Sequence, residues 1–64
     1  MADKDGLEGC REGYIAGIVN LNQVLIANLA TAKTDEQKQA AVDKFKKGVQ
    51  LCKDARQICE AAFS

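Results

Sequence analysis

In the carboxy-terminal half of the chain, Val42, Phe45, Val49, Cys52, Arg56, Cys59 and Phe63 follow one another at alternating intervals of three and four. Such spacing returns a residue to the same side of an α-helix every two turns, so it predicts a helix over about 35–63 with a coiled-coil-like seam. Arg56 is its one polar member. Beside the seam Ala41, Gly48, Ala55 and Ala62 recur every seven residues, and beyond them Leu51 and Ile58 stand seven apart. A small-residue groove between bulky rows lets a partner backbone approach closely and multiplies dispersion contacts. The competing reading is that alanine is simply a strong helix former.

The amino-terminal half predicts a helix over about 5–32. Asp5 offers a cap with Glu8 three residues on, and Gly9, Gly13 and Gly17 fall inside the helix, each costing about 1 kcal/mol relative to alanine. Its own heptad series is Ile15, Ile18, Leu25, Leu29 and Ala32, with Asn22 where an apolar residue should stand and so a candidate for fixing register. The apolar arc is wider than one seam. Tyr14 and Leu21 extend it on one side, Val19 and Ile26 on the other, and Val24 stands outside both.

Thr34-Asp35-Glu36-Gln37 has the form of a capping box with acidic residues in the first turn, and Lys33 suits the preceding carboxyl end. A break at Lys33 and Thr34 follows. Neither Gly nor Pro lies between Ala30 and Gln37, so one continuous helix is the alternative. A connection this short makes the helices antiparallel, pairing residues whose numbers sum to about 67 and setting Cys10 near Cys59.

The expected fold is all-α, an antiparallel two-helix hairpin forming one domain over 1–64. A single neighbour covers about a third of a helix, which leaves Val19 and Ile26 in water. Dimerisation into a four-helix bundle would cover them, and twofold symmetry is the commonest arrangement. The expected interface is Gly48, Leu51, Cys52, Ala55, Ile58 and Ala62 together with Val19 and Ile26.

Composition then narrows the chemistry. The chain has 64 residues, nine Lys and Arg, nine Asp and Glu, and no His, Pro or Trp. Without histidine the usual general base and the commonest metal ligand are missing, and the single methionine is Met1. No constellation of carboxylates, lysines, thiols and Tyr14 stands out as catalytic, so no enzyme, metal or cofactor is expected. Cys52 and Cys59 lie about 10 Å apart along a helix axis, too far to ligate one metal.

A chain this short needs a staple such as a disulfide or oligomerisation, and three cysteines cannot all pair within it. Cys10 and Cys59 are the candidate disulfide, across the open end of the hairpin. The opening Met1-Ala2-Asp3-Lys4-Asp5 is acidic and polar, unlike a secretory signal, so a cytoplasmic location is expected, with all three thiols reduced and acting as small apolar residues.

Two other functions compete. Gly13 to Ala32 carries no charge and has the length of a membrane span, with Gly13-x-x-x-Gly17 resembling a membrane-helix packing motif. Asn20, Asn22, Gln23, Asn28 and Thr31 oppose insertion of a membrane or filament subunit through 13–32, since lipid satisfies none of them, and a buried core helix accounts for the same residues. Lys38, Lys44, Lys46, Lys47, Lys53 and Arg56 make the second half basic, the mark of a nucleic-acid-binding regulator. Zero net charge, and aromatics limited to Tyr14 and two seam phenylalanines, favour solvated surface instead, with exposed pairs such as Lys47 and Asp43.

In size, layout and the Asp35-Glu36-Gln37 start of its second helix, the chain resembles the plasmid copy-number RNA-binding repressors, which are dimers of helical hairpins. The resemblance is architectural, because the charge-free middle of the first helix lacks the lysine-bearing face such proteins use for RNA. The function expected is a non-catalytic interaction or regulatory module acting through homo-oligomerisation and helix-in-groove contacts, its partner a second copy or another protein's helix.

Overall fold

Two caps decide where the helices begin. In the computed structural model, which describes residues 3–64, the Asp3 carboxylate accepts from Gly6 N at 2.9 Å and starts α1 over Lys4–Thr31. Met1 and Ala2, and with them the reading of the extreme amino terminus, lie outside the described residues. The cap is thus Asp3 rather than Asp5, which instead sits in the first turn. Asp3 is held from both ends, because its own N–H donates to Phe63 O at 3.0 Å, across to the end of the other helix.

Thr34 Oγ1 accepts from Gln37 N at 3.1 Å and starts α2 over Asp35–Phe63. Gln37 Oε1 reaches back to accept from Lys33 N at 2.7 Å, so the returning arm of the capping box lands one residue before the cap. Ala32 is extended, and the chain reverses there instead of continuing as one helix.

The helices pack along their whole length into a slab whose Cα atoms extend 52 × 15 × 7 Å. Facing residues have numbers summing to 69, as in Gly6 with Phe63, Cys10 with Cys59, Gly17 with Cys52 and Leu21 with Gly48. This is two more than expected and centres the reversal on Thr34 and Asp35.

From α2 the seam takes the row read from the sequence: Val42, Phe45, Val49, Cys52, Arg56 and Cys59 are half-buried, and Ala41 beside them is buried. The seam of α1 differs from the expected series. It runs through Leu7, Cys10, Tyr14, Gly17, Ile18, Leu21, Leu25 and Asn28, while Ile15, Asn22 and Leu29 are exposed. With apolar residues spread over so wide an arc, spacing alone does not choose which row turns inward. Packing chooses the row whose glycine admits a partner. Asn22, being exposed, fixes no register within the hairpin.

Among the described residues only Cys10 and Ala41 are buried hydrophobic side chains, at 6% and 8% exposure. Helix α1 is long and apolar enough to cross a membrane, and the hairpin alone buries none of the residues of its apolar window.

Candidate interaction surface

The open end of the hairpin is tied most firmly. Cys10 and Cys59 are joined in a disulfide with Cα atoms 5.8 Å apart, as a standard bridge requires. These two are therefore not the separate reduced thiols expected. Phe63 lies over Gly6, where a Cβ would stand 2.5 Å from its ring, and the Asp3–Phe63 hydrogen bond closes the same end.

Next to the bridge the polar member of the α2 seam finds its place. The Arg56 guanidinium carbon sits 5.0 Å from the centre of the Tyr14 ring, and its Nε is 3.2 Å from Glu60 Oε1. A cation over an aromatic face is attracted by the ring quadrupole, so arginine is tolerated in the seam. Sequence reading missed this pair, although the signal was present: Arg56 and Tyr14 are level in the hairpin register. Asp43, expected beside Lys47, instead accepts a hydrogen bond from Gln39 at 2.9 Å.

Of the expected interface residues, two belong to the hairpin itself. Gly48 faces Leu21, and the Cys52 sulfur would lie 3.1 Å from a Cβ on Gly17. Both are half-buried against α1. The others are exposed: Leu51 by 69%, Ile58 by 73%, Val19 by 52% and Ile26 by 59%, with Ala55 and Ala62 exposed beside the first two.

These exposed residues form two rows whose placement follows from the seam. In α1 four exposed apolar residues come one position after a seam residue, Ile15 after Tyr14, Val19 after Ile18, Ile26 after Leu25 and Leu29 after Asn28, while Val24 comes one before Leu25. In α2 Leu51, Ala55, Ile58 and Ala62 come one position before a seam residue, Cys52, Arg56, Cys59 and Phe63 in turn. One position turns an α-helix by about 100°. Because the helices are antiparallel, positions after the seam on both lie on one broad face and positions before it lie on the other. A shallow hollow bears this out, being lined by Gly9 and Gly13, each one before a seam residue of α1, together with Ala55. Leu51 and Ile58 therefore rise from one face of the slab and Val19 and Ile26 from the opposite face.

The lysines of α2 form no stripe. Lys44 and Lys46 are turned about 200° from each other around the helix axis, and Arg56 is engaged with Tyr14 and Glu60. Among the described residues no cluster of His, Cys, Asp and Glu is placed to hold a metal ion. No protein-family model, curated protein or solved structure matches the chain.

Proposed function

We propose that the hairpin is a non-catalytic assembly module that works by associating with further copies of itself, building helical bundles from closed hairpins. The observation that carries this reading is the pair of exposed rows, with Leu51, Ile58, Val19 and Ile26 all more than half in water while two small residues make up the buried core among the described residues. Fully burying a leucine or isoleucine is worth about 1.5–3 kcal/mol, so covering either row is a substantial driving force. Pairing in water rather than lipid is favoured by the closed ends. Inserting the apolar stretch of α1 into a membrane would draw in α2, tied to it by the turn and by the Cys10–Cys59 bridge, with Lys44, Lys46, Lys47 and Lys53.

Sedimentation equilibrium in detergent-free buffer from micromolar to millimolar concentration tests the proposal. Masses above one chain are expected. Full helicity with a single-chain mass throughout, or solubility only in detergent, would overturn it.

A further inference from the structure

Resting on the self-association proposed above, we infer that the assembly is larger than a dimer and uses two different contacts between copies, one through the Leu51 and Ile58 face and one through the Val19 and Ile26 face. A twofold contact buries the same patch on both partners. Because the two rows stand on opposite sides of a slab, pairing through one leaves the other in water. A dimer thus keeps either Leu51 and Ile58, at 69% and 73%, or Val19 and Ile26, at 52% and 59%, exposed.

Each face has room for one ordinary interface. A face of 52 × 15 Å is on the order of 800 Å², the share one partner contributes to a stable complex of standard size.

The occupant that fits is a second copy. By the register of 69, Ile58 lies level with the stretch between Gly9 and Gly13, both on its own face and both with open space where a Cβ would be. A twofold axis parallel to the helices sets α1 of one copy against α2 of the other without changing level, so each isoleucine meets the other copy's glycine hollow. Alternating this contact with one through Val19 and Ile26, whose twofold axis lies on the other side of the slab and so never meets the first, extends a stack.

The test is the mass by native mass spectrometry and sedimentation velocity of the intact, disulfide-bonded chain and three variants: Leu51→Glu with Ile58→Glu, Val19→Glu with Ile26→Glu, and all four together. The wild type is expected at four chains or more, each double variant at two and the quadruple variant at one, with helicity retained. Alanine at the same positions keeps helix propensity and should give the same order of masses should any glutamate variant lose its helicity. A wild-type mass of two chains overturns this inference and leaves self-association standing, whereas one chain at every concentration overturns both. A double variant that keeps the wild-type mass also overturns it, by removing its face from the assembly.

Discussion

A Cβ built on Gly48 would stand 2.6 Å from Cδ2 of Leu21, so these two residues interlock near the middle of the hairpin. Gly48→Ala adds about 1 kcal/mol of helix propensity but pushes Leu21 out of its seat, an overpacking cost of about 1–3 kcal/mol. The substitution should therefore destabilise the wild type in urea unfolding followed by circular dichroism. In a Leu21→Ala background it should stabilise by about 1 kcal/mol. The same sign in both backgrounds would show that Leu21 is not what the glycine accommodates.

Gly13 makes the contrasting case, since a Cβ there meets nothing within 4 Å. Gly13→Ala should raise hairpin stability by about 0.5–1 kcal/mol, read most cleanly at concentrations below self-association. A loss of stability would mean the hollow is closed in solution.

Cutting the bridge is the largest single change expected. The disulfide joins residues 49 apart, and the chain-entropy treatment of such a loop gives about 4 kcal/mol. Reduction, or Cys10→Ser, should lower the denaturation midpoint accordingly, and hydrogen exchange should rise first in the Asp3 to Cys10 segment. Unchanged stability under reductant would remove the bridge from the list of forces holding the hairpin.

Arg56 and Tyr14 offer a spectroscopic handle, because Tyr14 is the only tyrosine and the chain has no tryptophan. A double-mutant cycle with Arg56→Met and Tyr14→Leu should return a coupling of about 0.5–1 kcal/mol. Arg56→Met alone should change the intrinsic tyrosine emission. A zero coupling with unchanged emission would mean that the stacking is not populated.

Thr34 and Gln37 together set the start of α2. Thr34→Ala should cost about 1 kcal/mol, and Gln37→Ala less, since only the Lys33 N–H then turns to water. Equal costs would contradict the cap geometry.

How far the chain could be read in advance depended on contrast within each helix. On α2 charged residues such as Lys46, Lys53 and Glu60 bound the seam on one side and small residues on the other, so Val42, Phe45, Val49, Cys52 and Cys59 formed the one bulky row beside that charged edge, and the helix limits and the seam were legible together. On α1 apolar residues occupy most of the circumference between Ile15 and Leu29, and which row turned inward depended on where Gly17 and Gly48 admit Cys52 and Leu21. That is a property of the pair of helices. For the same reason the outward position of Leu51, Ala55, Ile58 and Ala62 was readable, whereas the seating of Leu21 over Gly48 was not. The break at Thr34 was legible because Thr and Gln at that spacing satisfy backbone donors locally. Arg56 looked anomalous only while its partner across the seam was unidentified.

The tie between Cys10 and Cys59 also restricts how copies of the chain can come together. With the turn at one end and a covalent link at the other, the two helices form a closed ring, and a ring cannot exchange one of its arms with a neighbour. Domain swapping, a low-cost route by which helical hairpins otherwise dimerise, is therefore blocked until the link is reduced. In its oxidised form the protein can recognise its own copies only surface to surface.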